Sequence, residues 1–318
     1  MSSLAPTATP ATASYPASSR LQVVLALASV YLVWGSTYLA IRIGLDAYPP
    51  FLMGGLRFLL ASLLFYGFLR WRGHAAPTPA QWRNAAVLGV LMMLLGNGLV
   101  NFAEQTVSSG LAAIAIASMP LWAGMFSAFK GRHPSRLEWL GLSVGFAGVV
   151  WLNFGSAMSA SLPGMIALLL APMAWAFGSV WSRDRDLPAP FMSTAAQMFC
   201  GGVAMLVVGL LLGERMHEFP PLRPTLAVLY LALFGSIVGF SAYVWLLHHV
   251  RPALATSYAY VNPPIAVLLG AVLLGEHVDG HVVGAMAVIL LGVLIITRAK
   301  ARPPAAAIAA QSIRAEDH

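Results

Sequence analysis

Three polar residues in one apolar stretch, Asn97, Asn101 and Glu104, stand at i, i+4 and i+7. At about 100° per residue they fall within about 60° on one face of an α-helix. Amides and a carboxyl placed this way either line a cavity for a polar solute or bind neighbouring helices by hydrogen bonds. Counted on the offset from Gly96 to Gly235, their counterparts are Ser236, Phe240 and Tyr243, again one face. A third stretch carries Tyr31, Gly35, Tyr38 and Arg42 with Trp34 at the edge, and a fourth carries Trp175, Ser179 and Ser182. Rings beside small hydroxyls make a wall for an organic solute, combining area with hydrogen-bonding groups; packing between helices is the other use. A fifth stretch holds Thr256, Ser257, Tyr258, Tyr260 and Asn262 before Pro263-Pro264, and Ser118-Met119-Pro120 stands at the matching place earlier. Proline removes a helix donor and frees a carbonyl, so kinks are expected at Pro120 and Pro263. Paired broken helices point to a binding site in transporters.

Arg42 and Arg57 are the basic residues inside apolar stretches, with Asp46 and Glu104 at similar depth. Together they read as a gating network, or Arg57 binds a substrate carboxylate while Arg42 snorkels to the headgroups. Glu104 is the carboxyl placed for proton coupling, and facilitated movement is the alternative. The adjacent His248 and His249 point about 100° apart on a helix and cannot easily share a metal. Cys200 is the sole cysteine. No Walker, HExxH, GxSxG or paired-cysteine motif occurs, so no cofactor, metal or catalytic residue is expected.

The elements that must position these groups follow from composition. Of 318 residues, 59% are hydrophobic and 9% charged, against about 25% charged in soluble domains. That excludes a soluble enzyme, a disordered chain and a disulfide scaffold. A crossing needs about 20 apolar residues. Ten stretches qualify: 21–45, 50–69, 84–104, 107–129, 136–154, 163–182, 189–213, 224–247, 252–274 and 281–298. Residues 1–20 and 299–318 read as cytoplasmic tails, the first disordered and lacking the basic start of a signal peptide. Basic residues cluster in alternate loops (Arg70, Arg72, Arg83; Lys130, Arg132, Arg136; Arg183, Arg185; Arg251), which places both termini in the cytoplasm. The net charge of +7 therefore orients the chain in a bilayer, and no nucleic-acid partner is expected.

The chain also repeats. Gly35-Ser36 before Pro50-Phe51 echoes Gly178-Ser179 before Pro190-Phe191. Ser109-Gly110-Leu111-Ala112 with Met119-Pro120 echoes Pro252-Ala253-Leu254-Ala255 with Asn262-Pro263, and Gly148-Val149-Val150 echoes Gly292-Val293-Leu294. Five crossings per copy put the second copy upside down. Lys130-Gly131-Arg132-His133 is basic where Leu274-Gly275-Glu276-His277 is acidic, as inversion requires. The expected fold is an all-α membrane protein with ten transmembrane helices in two inverted repeats, 21–155 and 163–298.

Trp34-Gly35-Ser36-Thr37, Pro50 with Gly55-Leu56-Arg57-Phe58, and Leu274-Gly275-Glu276 with Gly284 and Gly292 resemble the EamA-domain family of the drug/metabolite transporter superfamily. The resemblance implies a bacterial inner-membrane transporter, commonly an exporter, with a cavity lined by helices one, three, four, six, eight and nine. The first copy departs from the family in having Lys130-Gly131-Arg132 where a Gly-Glu pair is usual. The functional expectation is a secondary transporter moving a small organic solute, amino acid-like or otherwise, by alternating access, as monomer or homodimer. A membrane enzyme or lipid-handling protein, or a non-transporting sensor, are the rivals. Cavity candidates are Trp34, Tyr38, Asn97, Asn101, Trp175, Ser179, Ser236, Tyr243, Tyr260 and Asn262.

Overall fold

The structure, a computed structural model, describes residues 20–107, 112, 115–152, 161–216, 218–274 and 280–299. Residues 1–19 and 300–318 of the two tails, and the Ser109-Gly110-Leu111 and Gly275-Glu276-His277 motifs, lie outside the described residues. Every regular element described is helical. A chain in hydrocarbon must satisfy its backbone internally, which helices do.

In order these are α1 (Arg20–Leu45), α2 (Pro50–Trp71), α3 (Pro79–Ala103), α4 (Ala115–Phe129), α5 (Arg136–Leu152), α6 (Leu162–Ser182), α7 (Pro190–Leu211), α8 (Leu222–His249), α9 (Tyr258–Leu274) and α10 (Gly280–Arg298). Seven of them, α1, α2, α3, α6, α7, α8 and α10, are long and apolar enough to cross a membrane; α4 is a shorter apolar helix. Prolines open several: Pro50 in α2, Pro79 in α3 and Pro190 in α7 occupy first-turn positions where no donor is needed. Thr78 and Gln81 close a capping box on α3.

Two features differ from the sequence expectation. Pro120 does not kink a helix interior. α4 breaks at Ser118, and Pro120 sits in the first turn of the piece that follows. Before α9, a single turn (Pro252–Ala255) ends at Thr256-Ser257, so that break lies upstream of Pro263, which the helix runs through. The second difference is that α3 and α8 are not α-helical throughout. Gly89–Gly98 in α3 and Leu231–Val238 in α8 are π-helical, with bonds reaching five residues back.

Packing is pairwise. α2 lies along α7 and α5 along α10, in the two most extensive contacts. α1 packs on α9 and α8, α6 on α4 and α3, α2 on the π stretch of α8, and α7 on that of α3. In the α5–α10 seam the backbones touch: a Cβ added to Gly141 would lie 2.9 Å from Gly292 O, and one on Gly148 2.8 Å from Ile289 N. Small residues permit that approach.

Helix ends gather on two faces. On the first, Lys130 and Arg132 grip Asp184 at 2.7 and 2.6 Å, and Arg251 pairs with Glu138 at 2.6 Å while donating to Ile296 O. On the second, the Glu214 carboxylate accepts from the backbone N–H groups of Phe51 and Leu52, Thr106 meets Ser161, and Tyr48 meets Thr225. A depression of about 900 Å³ opens on this second face, walled by residues 45–50, 214–216 and 218–221.

Candidate functional site

The site is built around Trp34. Its indole lies edge-on to Tyr258, Phe240 and Trp175, with centroids 4.5, 5.1 and 5.6 Å away. Its Nε1 donates to Gly235 O at 2.8 Å. The π geometry of α8 explains that bond. The Gly239 N–H, the usual partner of Gly235 O in an α-helix, is shared between Phe234 O and Ser236 O instead. Gly239 also has to be glycine for the indole to come in, because a Cβ there would overlap Trp34 Nε1.

Beside this ring cluster is a cavity of about 90 Å³. Trp34, Thr37, Tyr38 and Ile41 of α1 and Arg57 of α2 line it. So do Asn97 and Asn101 of α3, Met119 of α4, Pro172 and Trp175 of α6, Phe240 of α8, and Tyr258 and Asn262 of α9. Six of the ten sequence candidates are thus brought together: Trp34, Tyr38, Asn97, Asn101, Trp175 and Asn262.

The other four stand elsewhere. Tyr243 and Ser179 are buried behind Trp175; the tyrosine hydroxyl accepts from Trp175 Nε1 at 3.1 Å and meets Ser179 Oγ at 2.7 Å. They orient the wall without facing the cavity. Ser236 is buried behind Arg57, accepting from its Nε at 2.8 Å. Tyr260 belongs to the α5 side, where its ring lies against Gly145 and its hydroxyl donates to Leu142 O at 3.0 Å.

The charged candidates do not form one network. Arg57 is 3% exposed, lies over the Phe58 ring and lines the cavity. Arg42 is exposed, and Glu104 is half-buried just past the end of α3. Glu104 lies within electrostatic reach of Arg42 and Tyr38, but neither Arg42 nor Glu104 lines the cavity or has an ion-pair partner within 4.0 Å among the described residues.

Three polar groups facing this space stand out. Asn101 donates from Nδ2 to Pro50 O at 3.3 Å, leaving its buried Oδ1 without a partner. The buried Oδ1 of Asn262 has no hydrogen-bond partner among the described residues, and the Asn262 side chain lies beside the Tyr38 hydroxyl. Arg57 has no carboxylate partner among the described residues. Buried polar groups are normally paired, so such exceptions mark places a ligand can complete.

The apolar lining residues, Ile41, Met119 and Pro172 among them, carry no sequence signal, since apolar side chains fill every helix here. The first-face pair Arg251–Glu138 was also missed, because its members are 113 residues apart.

Helices apolar and long enough to cross a membrane, packed around a cavity with unpaired polar groups, define a multi-pass membrane protein. The EamA-like transporter family matches the chain twice, over residues 21–154 and 162–298, and the chain belongs to that family. It is 43% identical over 290 residues to the uncharacterized inner membrane transporter YedA of Escherichia coli K12, covering 91% of this chain and 95% of that protein. It is 26% identical over 259 residues to the uncharacterized transporter YdfC of Bacillus subtilis, covering 80% and 84%. A solved crystal structure superposes with a TM-score of 0.73 at 22% identity, covering 88% of this chain and 97% of the other, which supports the fold.

Proposed function

We propose that the protein is a secondary transporter of the inner membrane that carries a small organic solute outward by alternating access. In this reading ten helices cross the bilayer as two inverted repeats, and both termini are cytoplasmic. The observation that carries it is the cavity, walled by α1 to α4 of one half and α6, α8 and α9 of the other. Sites between inverted halves at mid-depth are a recurring transporter arrangement.

The packing supports the repeat. Exchanging α1 with α6, α2 with α7, α3 with α8, α4 with α9 and α5 with α10 maps the principal helix contacts onto one another. The double family match supports it as well. The basic loops support a cytoplasmic first face. On this assignment the molecule is latched at the cytoplasmic face by Asp184 and by the Arg251–Glu138 pair, with the large depression facing outward. Turnover then requires these ion pairs to break and re-form while one half rocks against the other.

The outward direction rests on the family resemblance. Glu104, beside Tyr38 and Arg42 but off the cavity wall, is assigned to proton coupling. Counterflow in liposomes, with and without a pH gradient, tests the coupling. A solute exchanged by the wild type in a pH-sensitive way and by Glu104→Gln without pH sensitivity supports coupling. Equal pH sensitivity in the two proteins removes it.

A further inference from the structure

We infer that the π stretch of α8, with Trp34 held against it, is the switch that links the central cavity to the closure of the first face; this rests on the transporter reading and gives its rocking motion a moving part. The polar ties of α8 divide at this stretch. Before it, Thr225 meets Tyr48, and Tyr230 meets Ser36 of α1 at 2.6 Å. Within it, Gly235 O accepts from Trp34 and Ser236 Oγ accepts from Arg57. Tyr48, Ser36, Trp34 and Arg57 all belong to the first half. After the stretch, Tyr243 meets Ser179 and accepts from Trp175, and Val250 O accepts from Arg183 at 2.7 Å. Those partners stand on α6 or just past its end, in the second half. Arg251, the next residue, closes the first face on Glu138. When one half rocks against the other, the front of α8 is held by the first half and its rear by the second. The stretch between them must then change shape.

The stretch has a second arrangement that orphans no carbonyl. In the π arrangement the Gly239 N–H is shared between Phe234 O and Ser236 O, and Trp34 Nε1 fills Gly235 O. In an α-helix the Gly239 N–H returns to Gly235 O, and the indole is released. Ser236 follows the same register. Its hydroxyl donates to Leu231 O, five residues back, at 3.0 Å. A serine in an α-helix reaches the carbonyl four residues back, which here is Ala232 O. Gly235 O and Leu231 O therefore have a donor in either arrangement, as hydrocarbon demands. A bond that spans four residues instead of five narrows and lengthens the helix. Reversion thus turns the rear of α8, which carries Phe240 on the cavity wall, Tyr243 behind it and Arg251 at the first face. Gly239 is the pivot, since a Cβ there would overlap the indole. The closed first face goes with the π arrangement, and release of Trp34 goes with its opening.

The test places spin labels at Arg136→Cys, at the start of α5, and His248→Cys, at the end of α8, both exposed positions. The full-length protein also carries Cys200→Ala and is held in nanodiscs without added solute. Double electron–electron resonance then reads the distance across the first face. Trp34→Phe keeps the ring and removes the tie, and shifts the ratio of long to short distances about threefold, the effect of one interhelical hydrogen bond. Tyr260→Phe loses a bond of the same kind away from α8, to Leu142 O, and leaves the ratio at the wild-type value. Coupling between two sites is reciprocal, so opening the face must loosen the tie. Glu138→Gln keeps the bond to the Ser135 N–H and loses the charge; Arg251→Gln is a second break of the same pair. In either, the indole nitrogen resonance of Trp34, assigned by its loss in Trp34→Phe, moves toward the unbonded position. A ratio unchanged in Trp34→Phe, an equal shift in Tyr260→Phe, or a Trp34 resonance unmoved in both variants of the pair overturns the switch. Both readouts are taken without solute. A failed switch therefore leaves the transport reading to the counterflow assay, and failed counterflow leaves the switch in place.

Discussion

The π stretches of α3 and α8 occupy matching places in the two halves, yet they are held differently. In each, one side chain bonds a carbonyl five residues back: Asn97 to Met92 O at 3.2 Å, Ser236 to Leu231 O at 3.0 Å. The same offset separates Asn97 from Ser236 and Met92 from Leu231. Beyond that the likeness ends. The α8 stretch receives Trp34 on Gly235 O and Arg57 on Ser236 Oγ, so two side chains of the first half are tied to it. The α3 stretch makes no equivalent polar tie among the described residues. Gly96 instead lies flat against Trp175, and Asn97 remains half-buried on the cavity wall. A similar irregularity therefore anchors side chains in α8 and exposes a polar group in α3.

The largest expected effect comes from forcing a side chain in at the end of the anchored stretch. Gly239→Ala drives a methyl into Trp34 and should cost about 1–3 kcal/mol, the usual range for overpacking, read as a lower melting temperature in detergent. A melting temperature equal to wild type would show that Trp34 is not held where Gly235 O places it. Next is Trp34→Phe, which keeps the ring cluster but removes the donor to Gly235 O. Interhelical hydrogen bonds in bilayers contribute on the order of 0.6 kcal/mol, so a loss near that size is expected. Trp175→Phe, which removes the donor to the Tyr243 hydroxyl of α8 beyond the π stretch, is the comparison for it.

The comparison sharpens when the two plugs are removed in turn. Ser236→Ala should destabilise more than Asn97→Ala, since Ser236 is fully buried and also holds Arg57. Equal losses would mean that the anchoring difference has no energetic weight. The smallest effect lies at the first face. The hydrogen bond from Lys130, with Arg132 beside it, holds the Asp184 carboxyl below the ordinary carboxylate range. Such a group contributes stability that is fully present above its unfolded-state value of about 3.9 and is lost as pH falls through the lower folded one. Melting temperature should therefore fall more steeply in the wild type than in Asp184→Asn as acid is added below about pH 4.

Much of this was legible in the sequence, and the misses have physical causes. Helix positions followed from the length of apolar runs between Pro and charged breaks, and the observed helices Pro50–Trp71 and Leu162–Ser182 start and stop within two residues of expectation. Asn97, Asn101, Trp34 and Trp175 stood out because polar and aromatic side chains inside apolar helices need partners or space. The π stretches were invisible: an i→i+5 bond leaves no compositional trace, so face arithmetic at 100° per residue fails across it. That is one reason Phe240 reached the cavity while Ser236 and Tyr243 lie behind its wall. Tyr260 stands in the same polar and aromatic run as Tyr258 and Asn262, and a helical offset of two residues from either points it to the opposite side, against Gly145.

The Asp184 cluster has one more consequence. Its side chain is 37% exposed and those of Lys130 and Arg132 are 32% and 49% exposed, so dissolved ions reach all three. At 0.15 M ionic strength the Debye length is about 8 Å and shortens as salt rises. The ion pairs of this face are thus open to adjustment by the electrolyte bathing them, whereas Arg57, buried among rings and helices, is screened far less. Salt concentration becomes a dial that loosens one end of the molecule and acts far less directly on its centre.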